Sequence, residues 1–152
     1  MSKVRLSEPE QAVHQRNLLL GRAVGGPPWL PPDEARAVVV ARLRTFLNGD
    51  AGVSAELCLQ LVALLNSDVI PAIPLEGAGS AGEIIPLAHA FGPLVGIGTV
   101  LTADGVAQAP APASFQLGPK EGIALLAGIP KKPGLEIRRP HLGLGIALLP
   151  AL

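Results

Sequence analysis

The chain has 152 residues, 49% of them apolar, and its 12 basic and 12 acidic side chains cancel to a formal charge of zero. That length and apolar content suit one domain with a real core and argue against disorder. With only 16% charged residues and no net charge, nucleic acid and anionic membrane surfaces are poor partners, whereas self-association or a protein partner is easily accommodated.

Breaks are frequent, with 18 Gly and 16 Pro, and aromatic residues are scarce, so the core must come from Leu, Val, Ile and Ala. Ser7 and Glu10 form an S-x-x-E capping box with Pro9 in the first turn. A helix should start there and run through QAVHQRNLLLGRAV to Gly25-Gly26-Pro27-Pro28. Pro31, Pro32, Asp33 and Glu34 open a second helix, acidic groups being favourable at a helix N-terminus. Its apolar residues Val38, Val39, Leu43, Phe46 and Leu47 recur close to helical spacing, and Asn48-Gly49-Asp50 ends it. Ser54 caps a third helix, AELCLQLVALLN, whose Leu57, Leu61, Leu64 and Leu65 share a face. Cys58 on that helix is the single cysteine; it cannot form an internal disulfide and reads as a small buried hydrophobe.

Residues 68–76 are expected to be extended, pinned by Pro71 and Pro74, and a glycine-rich loop follows at 77–82. A helix should span about 83–91, with Pro86 tolerated only in its first turn. Residues 99–101 and 106–108 flank the turn Ala103-Asp104-Gly105 and suggest a small hairpin. Residues 109–113 form a proline-rich connector and 119–128 a short helix, in which Lys120 and Glu121 should pair locally. Residues 129–152 mix apolar residues with Gly and Pro at no clear period, and no element is assigned there. The fold class expected is mainly α with a minor hairpin. The N-terminus MSKVRLSEPEQ has no apolar signal core and no apolar run is long enough to span a bilayer, so a cytoplasmic protein is the simple expectation. His14, His89 and His141 are too widely spread for a metal-ligand pattern, and there is no G-x-S-x-G, P-loop or dinucleotide fingerprint.

Residues 71–89, PAIPLEGAGSAGEIIPLAH, carry the most specific signal in the chain. They resemble the active-site loop of the aromatic amino-acid ammonia-lyases and aminomutases, in which a glycine-rich segment holds Ala-Ser-Gly, an acidic residue, two apolar residues and Pro-Leu-Ala-His. Three further blocks resemble that family in the same order: QRNLLLGRAVGGPPWLPPDEARAVVVARL, LVALLNSDVIPAIPLEG and GPKEGIALLAG. The resemblance covers residues 7–128. It implies a helical domain like the N-terminal part of the family's fold, with 129–152 a divergent tail of one domain spanning 1–152. It further implies a tetramer whose active sites are assembled across subunits. The family's catalytic tyrosine would precede Met1, and its central helical bundle would follow Leu152.

In that family the Ala-Ser-Gly tripeptide cyclises and loses water to give an electrophilic methylidene-imidazolone. The aligned positions here are Ser80, Ala81 and Gly82. Gly82 suits the attacking nitrogen, where crowding must be least. Ala81 has no hydroxyl to eliminate, so the prosthetic group is not expected and no other cofactor is implied. The family's supporting asparagine corresponds to Ala127, its histidine in the SHAAG-like stretch to Arg22, and its aspartate after the tripeptide to Glu83.

Three residues are candidates for catalysis without that group. Glu83 either caps a helix beside the loop or lines a pocket as a carboxylate able to act as general base when desolvated. His89 is either a hydrogen-bonded packing residue or an acid–base group. Arg22 either binds a substrate carboxylate or solvates a helix end. His14 reads as a surface residue. Two functional expectations follow. One is a lyase-family remnant repurposed to bind and convert a small molecule by acid–base chemistry, a cyclisation, isomerisation or dehydration suited to secondary metabolism. The other is a non-catalytic pseudoenzyme or small subunit that completes or regulates a partner chain.

Overall fold

The computed structural model describes residues 6–49, 51–75, 84–113 and 115–127. Among these described residues, five α-helices and a small sheet enclose one core, in the mainly α architecture the sequence predicts. Helix α1 is Glu8–Leu20, with Pro9 in its first turn. Ser7 offers both its backbone N–H and its hydroxyl to Glu10 Oε2, at 2.8 and 2.7 Å. The helix stops short of the predicted end near Gly25. With Gly21 as C-cap, the Leu19 carbonyl accepts from both Arg22 and Ala23 N–H, at 3.0 and 2.9 Å, and this turn closes the helix before Gly25 and Gly26 are reached.

Helix α2, Pro32–Leu47, begins with Asp33 and Glu34 in its first turn, and helix α3, Ala55–Asn66, begins at Ser54, whose hydroxyl accepts from Leu57 N–H at 3.1 Å. The two pack as a hairpin. Arg36 of α2 fixes their antiparallel register by donating to the Leu65 carbonyl and, at 3.4 Å, to that of Ser67. Leu57 and Leu61 are buried as predicted, whereas Cys58 is only half-buried.

Helix α4, Ile84–Phe91, holds Pro86 in its first turn. There the missing N–H would have had no intrahelical partner, so the proline is tolerated. Its sequence IIPLAHAF is almost wholly apolar, and residues from Pro86 to Phe91 are all buried; a helix that is apolar all round belongs in the interior. A single 3₁₀ turn, Gly92–Val95, follows, and Arg16 of α1 donates to the Val95 carbonyl at 3.3 Å. Helix α5 is Glu121–Leu126. It starts two residues later than the sequence suggests because Lys120 adopts a left-handed conformation (φ 69°).

The predicted hairpin is present as strands β2, Val100–Leu101, and β3, Ala107–Gln108, paired antiparallel with Val100 opposite Gln108 and Leu101 opposite Ala107. The extended segment after α3 supplies a third strand, β1, Ile70–Pro71, which pairs antiparallel with β2 through Ile70–Leu101 and Pro71–Val100. The core between these layers is built from Leu19, Leu30, Val39, Leu57, Ile73 and Phe91, with Leu, Val and Ile neighbours. Among the described residues, no helix is long and apolar enough to cross a membrane.

Candidate functional site

The loop bearing Ser80, Ala81, Gly82 and Glu83 lies outside the described residues, as do His141 and the tail. Its two stems are described, and both meet the connector at residues 24–30. The incoming stem, 73–75, runs antiparallel to 28–30. Leu30 N–H donates to the Ile73 carbonyl and Leu75 N–H to the Pro28 carbonyl, each at 2.8 Å, with Trp29 opposite Pro74 between them. A proline fits there because the central pair of such a bridge donates no ladder hydrogen bond. Ala72 N–H meanwhile donates to the Thr99 carbonyl at 3.0 Å, tying the same stem to the sheet.

The outgoing stem is α4, and its attachment is His89. Nε2 lies 3.0 Å from the Val24 carbonyl oxygen. A carbonyl can only accept, so Nε2 is the donor. Nδ1 is buried and has no hydrogen-bond partner. The ring is 3% exposed and lies tilted against Trp29, with centroids 6.3 Å apart. Gly25 follows Val24 with φ +121°, and a Cβ there would sit 3.2 Å from Pro74 Cγ. Only glycine combines that backbone conformation with such a close approach to the stem.

Arg22 precedes this connector. It is half-buried, and its Nη1 donates to the Leu18 carbonyl at 3.1 Å, so it solvates the end of α1. Arg22 thus holds the last turn of α1, while His89 holds the connector that follows it. His14 is exposed on α1, as predicted. Ala127, where the resemblance places an asparagine, offers only a methyl side chain; its carbonyl accepts from buried Arg42, whose guanidinium lies 5.8 Å from the Phe46 ring centroid.

The expected local pairing of Lys120 with Glu121 is corrected. Glu121 is buried and accepts from Ser54 N–H at 2.8 Å and Gly118 N–H at 2.6 Å, while Lys120 is exposed. Two backbone donors satisfy the buried carboxylate, one on each oxygen. Sequence reasoning also missed Gln15, which is buried and accepts from Ile123 N–H at 3.3 Å. A signal was available, since Gln15 lies one turn before buried Leu19 on the same face of α1. Arg42 similarly shares a stripe with Val38 and Phe46. Among the described residues, no group of three or more His, Cys, Asp or Glu is placed to hold a metal ion.

A family model described as aromatic amino acid lyase matches residues 1–134. The histidine ammonia-lyase of Paracidovorax citrulli is 36% identical over 135 residues, covering 84% of this chain and 26% of that one. A tyrosine aminomutase mutant structure superposes with a TM-score of 0.71 at 33% identity, over 81% of this chain and 24% of its own. The ergothionase of Treponema denticola, crystallised with desmethyl-ergothioneine sulfonic acid, gives a TM-score of 0.70 at 28% identity, over 82% of this chain and 26% of its own. The sequence thus spans about a quarter of the length of these relatives. On this match of sequence and fold, the chain belongs to the aromatic amino acid lyase family.

Proposed function

We propose that the chain is a non-catalytic member of its family that acts by association with another polypeptide. The observation that carries this is His89. Its Nε2–H is committed to the Val24 carbonyl and the residue is 3% exposed, which suits a packing role better than proton transfer to a ligand. The commitment of Arg22 to the Leu18 carbonyl supports the same reading. The residues also do not fit the methylidene-imidazolone. Ala81 has no hydroxyl to lose and Ala127 no side-chain amide to offer.

Association is supported by α3. Its only charged residue is Glu56, and its outer stripe of Ala55, Leu59, Val62 and Ala63 is exposed, Leu59 by 61%. A helix apolar on both faces is ordinarily covered on both. The test is sedimentation of the purified chain beside Leu59→Asp, with ammonia release from histidine, phenylalanine and tyrosine assayed in parallel. Concentration-dependent assembly or a stoichiometric co-purifying chain, weakened by Leu59→Asp and without turnover, is the expected result. A monodisperse monomer with no co-purifying chain would sink this reading.

A second reading has support from the loop stems, which are held by three hydrogen bonds to the 24–30 connector. Glu83, His89 and Arg22 would then act as acid–base and binding groups on a small molecule in place of the lost electrophile. Turnover of such a molecule that survives both Glu83→Gln and His89→Ala would exclude it.

A further inference from the structure

We infer that the connector at residues 24–30 is a strap that couples the two stems of the glycine-rich loop, and that His89 is the positioning residue fastening the outgoing stem to it. This holds whether or not the chain is catalytic. The incoming stem is attached twice, through Leu30 N–H to Ile73 and Leu75 N–H to Pro28. The outgoing stem is attached by His89 Nε2 to Val24, less than two turns into α4. A short helix is stiff over that length, so fixing His89 also fixes Ile84, where the loop is left behind. The connector meets both stems through its own backbone carbonyls and one N–H. Moving it therefore moves both.

Three features are hard to explain by packing alone. First, α4 is otherwise apolar, and a leucine at position 89 would fill space without leaving a buried polar atom unpaired as His89 Nδ1 is. The imidazole is kept where its N–H meets a carbonyl four residues from the Pro28 anchor. Second, Gly25 lies between those anchors at φ +121°, with its α-carbon face against Pro74, so the strap can lie flat on the stem only with glycine there. Third, the Trp29 ring lies against His89 while its backbone pairs with Pro74. One residue thereby touches both stems. The strap follows directly on the end of α1, where Arg22 holds the Leu18 carbonyl. A displacement of that helix end would be felt at both stems together.

The test is amide hydrogen exchange in the full chain, comparing the amides of Leu30 and Leu75, which join strap and stem, with the buried mid-helix amides of Val39 and Leu61. In His89→Ala, Leu30 and Leu75 should exchange at least tenfold faster while Val39 and Leu61 keep their protection. His89→Gln, which can place an N–H donor at the same reach, should restore most of it. Uniform acceleration at all four amides without rescue by His89→Gln would mean simple destabilisation and would overturn the inference, as would unchanged exchange at Leu30 and Leu75. Should His89→Ala not fold, the wild-type chain decides. The His89 ring N–H must be on Nε2 in a long-range proton–nitrogen spectrum and must exchange at the rate of the Leu75 amide. A ring proton on Nδ1 with none on Nε2, or an Nε2–H that exchanges independently of Leu75, overturns it.

Discussion

A Cβ on Gly122 would lie 2.7 Å from the backbone oxygen of Gln15 and 2.9 Å from its side-chain Oε1. Helices α1 and α5 therefore touch backbone to backbone, and the contact is closed by Gln15 accepting from Ile123 N–H. Backbone oxygen cannot step aside as a flexible side-chain tip can. Gly122→Ala must separate the helices, with an overpacking cost of about 1–3 kcal/mol. Denaturant titration should show a lower midpoint at unchanged slope. An unchanged midpoint would mean that α5 is free to shift away from α1.

Glu121 gives the same region a polar lock. Its carboxylate joins the start of α5 to the α2–α3 connection by accepting from Ser54 and Gly118 N–H. Glu121→Ala would leave two N–H groups without their acceptor in a part-buried site, a loss of about 2 kcal/mol. Glu121→Gln keeps one oxygen acceptor and should fall between the two in thermal unfolding. Equal stability of all three proteins would show that water replaces the carboxylate at no cost.

Position 47 offers a contrast between structure and association. Leu47 at the end of α2 is 69% exposed and Leu59 of α3 61%. Replacing either by Asp removes little core contact and costs mainly helix propensity and, at Leu47, an unfavourable charge at a helix C-terminus, so unfolding free energy should fall by no more than about 1 kcal/mol, while any self-association should weaken. A large loss of folding stability with no change in sedimentation would mean that these side chains are covered within the chain itself.

Much of this arrangement was legible in the sequence because local chemistry decided it. Ser54 as cap and Asn66 as last residue bound α3 residue for residue, and the S-x-x-E box marks the start of α1. The hairpin was legible from its turn residues. What sequence reasoning could not supply was long-range. The pairing of Trp29 with Pro74 joins two proline-flanked segments that show no strand alternation. Gln15 and Arg42 look like surface residues until their neighbours at helical spacing, Leu19, Val38 and Phe46, are seen to face inward. For His89 the PLAH resemblance drew attention to the right residue, but its role turns on a carbonyl 65 residues away in sequence. Glu83 and the tripeptide positions lie outside the described residues, so their placement rests on the resemblance alone.

The capping box makes one end of α1 sensitive to acid. Ser7 donates through both its hydroxyl and its backbone N–H to Glu10, and these bonds hold the Glu10 carboxyl below the usual carboxylate range. A carboxyl lowered on folding binds its proton less readily in the native state. Its contribution to stability is therefore present above the unfolded-state value and lost as pH falls through the folded-state one. The first turn of α1 should fray as pH drops below about 4, and Glu10→Gln, which cannot ionise, should remove that dependence. The measurement is exchange of the Gln11 amide, which donates to the Ser7 carbonyl at 2.9 Å, followed from pH 6 to pH 3 and corrected for intrinsic rates. Protection that falls equally in wild type and Glu10→Gln would assign the acid sensitivity to another group.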